Sequence, residues 1–234
     1  MTPDTYESLA KRLDVRLLDP WWSADQVYEA CSKARDLGVR AVIVRPCDFE
    51  LALQWLTGSG IEVVPTAGYP YGVSNTSAKL YELRDLLRLG AKEVELTLSP
   101  ARMFSRQFQH VEAELMQAAK SCHESGARLT VLYNSAHMGN DQKIIATKIS
   151  RRTEVDYLAM DGGDTELALM KPLLRDVLHL RLATPVTDLD QALAALEAGY
   201  DTITVTDAAP VLEAWKARLE EQKQEEKQQP VTSL

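Results

Sequence analysis

The chain alternates between amphipathic stretches with helical spacing and short aliphatic, β-branched runs, and a glycine marks the join five times. Leu37-Gly38-Val39-Arg40-Ala41-Val42-Ile43-Val44 is followed by Ser59-Gly60-Ile61-Glu62-Val63-Val64 and by Leu89-Gly90-Ala91-Lys92-Glu93-Val94-Glu95-Leu96. The join returns as Ser125-Gly126-Ala127-Arg128-Leu129-Thr130-Val131-Leu132 and as Ala198-Gly199-Tyr200-Asp201-Thr202-Ile203-Thr204-Val205. Glycine there closes a helix in the left-handed conformation, and the run behind it suits a strand covered on both faces. The pattern predicts strands near 13–18, 40–45, 62–67, 92–98, 128–133, 155–160, 177–183 and 201–206. It predicts helices over about 23–37, 48–57, 76–89, 104–125, 140–151, 164–174, 188–198 and 209–227. Eight such units in about 210 residues predict an α/β fold, a (β/α)8 TIM barrel in its compact size range. A doubly wound sheet is the rival, but the turn after the first strand reads Leu18-Asp19-Pro20-Trp21-Trp22 rather than a glycine-rich phosphate loop. No linker divides residues 1–220, which read as one domain, and residues 221–234 read as a frayed helix end and a polar, disordered tail.

Composition narrows the function. The 234 residues include 34 acidic and 26 basic side chains, for a net charge of −8, which argues against nucleic-acid and anionic-membrane partners. No apolar run approaches the ~18 residues of a membrane span, and the polar start Met1-Thr2-Pro3-Asp4-Thr5 does not read as a secretory signal. Cys31, Cys47 and Cys122 are an odd set without metal-binding spacing, so they read as reduced thiols of a cytoplasmic protein, and no metal site or cofactor is expected.

In a barrel, chemistry sits where the strands end at their carboxyl side. The polar residues read onto that mouth are Asp14 and Asp19, Arg45, Thr66, Glu95 and Thr97, Tyr133 and Asn134, Asp161, Arg181 and Thr184, then Thr206 and Asp207. No lysine falls there: Lys92 starts its strand, and Lys79, Lys143 and Lys171 fall on helices. Several groups carry two readings. Glu95 with Arg181 is a catalytic acid–charge pair or a buried salt bridge. Arg45 and Arg181 clasp an anion or pair with Asp14, Asp161 or Asp207. Asp161-Gly162-Gly163-Asp164 holds a cation with Glu95, or is a turn with Asp164 capping the next helix. His137 is the histidine placed to reach the mouth; His110 and His123 read as solvated, and His179 as packing. Trp21-Trp22 covers a ligand, packs the rim or meets a second copy.

Four segments carry a resemblance. Gly68-Tyr69-Pro70-Tyr71-Gly72-Val73-Ser74-Asn75-Thr76-Ser77-Ala78-Lys79 resembles the G-F-P-x-G-x-x-x-T-x-x-K segment of 2-deoxyribose-5-phosphate aldolases, Schiff-base enzymes built as (β/α)8 barrels. Leu13-Asp14-Val15-Arg16-Leu17-Leu18-Asp19-Pro20 is similar to that family's I-D-H-T-L-L-K-P, Val42-Ile43-Val44-Arg45-Pro46 to V-C-V-N-P, and Glu93-Val94-Glu95-Leu96 to E-I-D-M. The resemblance spans about residues 12 to 210. It implies a cytoplasmic sugar-phosphate aldolase, possible as a homodimer, that cleaves deoxyribose 5-phosphate to glyceraldehyde 3-phosphate and acetaldehyde.

The same comparison puts Ala159 where the family carries its Schiff-base lysine, Arg181 at the second active-site lysine and Glu95 at the proton-shuttling aspartate. The phosphate loops become Ala183-Thr184-Pro185 and Thr204-Val205-Thr206-Asp207-Ala208. An arginine stays protonated and cannot replace the amine nucleophile. The expectation is a catalytically divergent pseudo-aldolase that binds a small anionic or sugar-phosphate ligand, or a partner, with Glu95 and Arg181 central and Arg45, Asp14, Asp161, Thr184 and Thr206 as ligand-binding residues. The alternatives are a metal-free lyase or isomerase using Glu95 as acid–base, and an aldolase retained through an unrecognised lysine.

Overall fold

In the computed structural model, eight parallel strands close on themselves in the order β1 to β8, with helices between them. The structure describes residues 3–162, 164–174 and 178–228. The strands are β1 (Leu13–Leu17), β2 (Ala41–Val44), β3 (Glu62–Ala67), β4 (Glu93–Thr97), β5 (Arg128–Leu132), β6 (Tyr157–Met160), β7 (His179–Val186) and β8 (Thr202–Val205). β1 pairs with β8 through Leu13↔Ile203, Asp14↔Thr204 and Val15↔Val205, which closes the ladder. The predicted barrel is therefore the observed one, and no helix among the described residues is long and apolar enough to cross a membrane.

The helices are α1 (Tyr6–Ala10), α2 (Ala24–Leu37), α3 (Phe49–Trp55), α4 (Thr76–Arg88), α5 (Pro100–Phe104), α6 (Phe108–Glu124), α7 (Asn140–Arg152), α8 (Asp164–Leu174), α9 (Leu189–Ala198) and α10 (Ala209–Gln228). The short α1 and α5 have no counterpart in the hydrophobic pattern, because five residues are too few to show a period. Their boundaries come from end signals: Thr5 caps α1 and Pro100 opens α5. Ser23, Asn75 and Asp188 accept backbone N–H groups at the starts of α2, α4 and α9. The glycine joins behave as the sequence predicts. Gly38 ends α2 at φ +69°, where its N–H reaches back to Ala34 and Arg35, and Gly60, Gly90, Gly126 and Gly199 also have positive φ. α10 takes in residues 221–228 of the expected tail; residues 229–234 lie outside the described part, as do Gly163, the Asp164 side chain and residue 177.

Two faces of each strand do different work. Odd residues of β1 and even residues of β2 (Leu13, Val15, Leu17, Val42, Val44) point outward into one large apolar layer shared with the helices. Burial of such side chains stabilises the fold by about 1.5–3 kcal/mol each. The inward faces carry Asp14, Arg16, Glu62, Glu93, Glu95, Arg128 and Arg181, so the lumen, usually filled with branched aliphatics, is largely charged here. The buried apolar lumen residues among those described form two small clusters, Leu18, Ala41, Ile43 and Val64, and Leu132, Ala159 and Ala183, while the Tyr157 ring lies beside Arg40 and Arg181.

Candidate ligand pocket and the ion network beneath it

The lumen holds a connected set of four arginines and four carboxylates. Arg40 pairs with Asp14 at 2.5 Å and with Glu93 at 3.1 Å, and Arg128 pairs with Glu62 and Glu93. Arg181 has no solvent exposure and binds Asp14 at 2.8 Å, Glu95 at 3.2 Å and Glu93. Arg16 completes the set at 3.1 Å from Glu95. Burial weighs against the charge on Arg181, but Glu93, Asp14 and Glu95 outweigh it and favour the charged guanidinium. Burial likewise raises the Glu93 carboxyl, yet Arg181 and Arg40 reverse that and hold it well below the usual carboxylate range.

Register places this network. Asp14 is the second residue of β1 and pairs with Ala41, at the amino end of the barrel, while Arg181 is the third residue of the eight-residue β7. Both were expected at the mouth; they lie below it, because a residue's height in the lumen follows from strand stagger, which a single sequence does not display. Glu95 sits at mid-strand in β4, its Oε1 accepting from Arg16 and its Oε2 from Arg181. The pairing of Glu95 with Arg181 is thus a fully buried ion pair.

Above the network, at the carboxyl ends of the strands, opens a cavity of about 590 Å³. Its polar lining is Arg16, Asn134, His137, Asp161 and Thr184, and its apolar lining includes Tyr69, Tyr71, Phe104, Leu132 and Ala183. No lysine lines it among the described residues. The β7–β8 ladder shapes one wall: it is in register at Leu182↔Ile203, then shifts before resuming at Val186↔Val205. Such an irregularity re-aims side chains, and here the intervening Ala183, Thr184 and Pro185 line the cavity. Asp161 accepts the Ala136 N–H at 3.1 Å, and its carbonyl accepts from the Thr184 hydroxyl. The buried Ala159 packs against Leu132 and Ala183, both of which line the cavity.

Two expected ligand-binding residues are elsewhere. Arg45 is turned to Asp48 at 2.5 Å and to the carbonyls of Asp19 and Trp22, so it forms no clasp with Arg181. Thr206 borders a separate hollow with Trp22, Lys33 and Asp207, where Lys33 pairs with Asp207 at 2.6 Å. His137 does line the cavity. His123 is exposed, as expected, and bonds Asp156 at 3.0 Å; His179, expected to pack, is mostly exposed at the amino end of β7, close to Asp201 and the Tyr157 ring. Trp21 is exposed and Trp22 packs against the core. Lys79 is buried in α4, bound to Glu114 at 2.5 Å and to the Thr97 carbonyl at 3.0 Å. No group of three or more His, Cys, Asp or Glu suited to a metal occurs among the described residues. Burial, with Asp48 and Asp156 nearby, pushes the Cys31 and Cys122 thiols up to about 12.

Arg16 is the residue that sequence reasoning missed. Its signal is the period of two: if Asp14 faces inward, so does Arg16. Its guanidinium carbon lies 5.3 Å from the centre of the Tyr69 ring, linking the lumen network to the cavity wall.

These features define a (β/α)8 barrel with a ligand-sized pocket at the carboxyl ends of its strands. Its relatives narrow the class: the chain is deoxyribose-phosphate aldolase-like. It is 25% identical over 217 residues to the deoxyribose-phosphate aldolase of Bacteroides thetaiotaomicron, covering 90% of this chain and 91% of that protein. It is 26% identical over 207 residues to the same-named protein of Ureaplasma urealyticum, covering 86% and 95%. The fold is shared with the tetrameric deoxyribose phosphate aldolase of Aeropyrum pernix at a TM-score of 0.83 and 22% identity, covering 92% and 93% of the two chains. No protein-family model matches the chain.

Proposed function

We propose that this chain is a divergent barrel, a cytoplasmic pseudo-aldolase, that binds a small anionic ligand at its mouth and does not cleave 2-deoxyribose 5-phosphate through a Schiff base. The observation that carries this reading is the pocket floor. Leu132 and Ala183 line it, packed against the buried Ala159 as an apolar cluster, and the described lining has no lysine. By resemblance Ala159 stands at the Schiff-base position, and Arg181, at the second lysine, is already bound by three carboxylates. Carbon–carbon cleavage in this family needs an amine to form the iminium that accepts electrons. Lys79, the candidate for an unrecognised nucleophile, is buried against Glu114. The family's phosphate loops are also replaced: Pro185 removes a backbone donor, and Asp207 adds a negative charge paired to Lys33. A homodimer is the assembly the resemblance implies.

The test is borohydride reduction in the presence of deoxyribose 5-phosphate, read by intact mass, beside a coupled assay for glyceraldehyde 3-phosphate. The expected result is no adduct and no turnover in folded protein. A reduced adduct on one lysine together with turnover overturns the proposal. A second reading, a lyase or isomerase with Glu95 as acid–base, draws support from the Arg16–Glu95 contact at the base of the pocket. It requires Glu95→Gln to abolish whatever activity the protein has while leaving the fold intact.

A further inference from the structure

The pocket and the lumen beneath it differ sharply in polarity, and Arg16 stands at their boundary. Among the described residues the only hydrogen bond of its guanidinium runs from Nη2 to Glu95; Nη1 is shielded from solvent and has no partner. A buried cationic N–H without an acceptor is costly, and the complementary ligand group is one that supplies it. Three buried hydroxyls of the same inward faces, Thr66, Thr97 and Thr204, also lack partners. Thr66 is the register neighbour of Glu95, and Thr97 lies two residues beyond Glu95 on the same face. Of these unused donors Arg16 Nη1 belongs to a residue that lines the cavity, while Thr204, the register partner of Asp14, lies lower in the lumen. The upper walls set the aromatic and aliphatic surface of Tyr69, Pro70, Tyr71, Pro100, Phe104 and Pro185 beside the polar Asn134, His137, Asp161 and Thr184, of which Asn134 already donates to the Pro70 carbonyl and Thr184 to the Asp161 carbonyl.

We infer that the pocket takes an apolar monocarboxylate, its carboxylate inserted toward Arg16 and its aromatic or branched body between Tyr69 and Phe104. This inference rests on the reading of the barrel as an anion-binding pseudo-aldolase and names the ligand class. Arginine suits a planar carboxylate through paired N–H donors, and the Tyr69 ring lies beside the guanidinium as a cation–π partner. Glu95 does not oppose such a ligand with a free charge, because both of its oxygens accept from guanidinium groups.

The experiment is calorimetric titration of the full chain with 3-phenylpropanoate, its neutral amide 3-phenylpropanamide, and 2-deoxyribose 5-phosphate. The acid is expected to bind at least tenfold more tightly than the amide or the sugar phosphate. Arg16→Gln is expected to remove the difference between acid and amide, and Phe104→Ala to weaken both about equally. The acid–amide ratio in the unaltered protein keeps the test decisive if Arg16→Gln does not fold. Equal binding of acid and amide, or no binding of either, overturns the inference. Tighter binding of deoxyribose 5-phosphate without turnover also overturns it while leaving the pseudo-aldolase reading intact. Schiff-base turnover of that sugar removes both.

Discussion

Gly72 shows how one residue positions the pocket wall. It has φ +63° and donates its N–H to the Gly68 carbonyl at 2.8 Å, closing the loop that carries Tyr69 and Tyr71. A Cβ there would meet the Thr97 carbonyl oxygen at 2.7 Å and press on the Leu98 carbonyl as well. The backbone at the end of β4 cannot yield as a flexible side chain would. Gly72→Ala is therefore expected to cost about 2 kcal/mol or more in urea unfolding, and to weaken ligand binding by displacing the two tyrosines. Wild-type stability in that variant would show that the loop tolerates a different turn. At this scale the sequence is only partly legible. Gly72 and Glu95 stand out in their motifs, and Asp161 and Thr184 do reach the cavity. Arg45 and Thr206 sit at strand ends as expected, yet their neighbours Asp48 and the Lys33–Asp207 pair decide where they lie. Such partners are set by loop geometry rather than by spacing.

Helix α4 depends on a buried ion pair to sit against the barrel. Lys79 bonds Glu114 on α6 and the last carbonyl of β4, and Thr76 donates to the other Glu114 oxygen at 2.7 Å. Breaking one side of such a pair leaves an uncompensated buried charge. Lys79→Met is expected to lose about 3–5 kcal/mol, and the double change Lys79→Met/Glu114→Leu to recover a good part of it. A double-mutant cycle in urea checks this, and additive losses would show the pair to be uncoupled. Elements were the most legible level of the sequence. Gly-terminated helices and apolar runs located all eight strands and the long helices within a few residues. The lysine in the T-x-x-K segment was rightly read as helical, but its burial against a residue 35 positions away could not be read from the local pattern.

The whole molecule is held by a lumen that is charged yet balanced, and this sets its response to acid. Glu93 is buried between Arg181 and Arg40, which lower its carboxyl below the ordinary value. In the unfolded chain that group titrates near about 4.3. Its stabilising contribution is thus fully present above that range and is lost as pH falls from about 5 toward the folded value. Glu62 works in the opposite sense. Burial and Glu93 raise it against the pull of Arg128 and Arg40, so its contribution favours the fold more as pH falls. Glu93 is the more deeply enclosed and governs the balance. The urea midpoint is expected to hold between pH 7 and 5 and to fall steeply by pH 3.5; a flat profile to pH 3.5 would assign the network no part in stability. Closure of the barrel was legible from the count of repeating units. The charged lumen was not, because Asp14, Glu95 and Arg181 look in sequence like mouth residues until strand stagger stacks them in layers.

The lapse in pairing between β7 and β8 bears on how this barrel is free to change. Residues 183–185 lie between the last regular partners, Leu182↔Ile203, and the resumed pair, Val186↔Val205, while lining the cavity. Replacing them asks little of the cross-strand scaffold that closes the ring. Heredity can therefore edit the cavity wall at this stretch while inheriting the architecture intact, so the pocket can change its lining without passing through a broken fold.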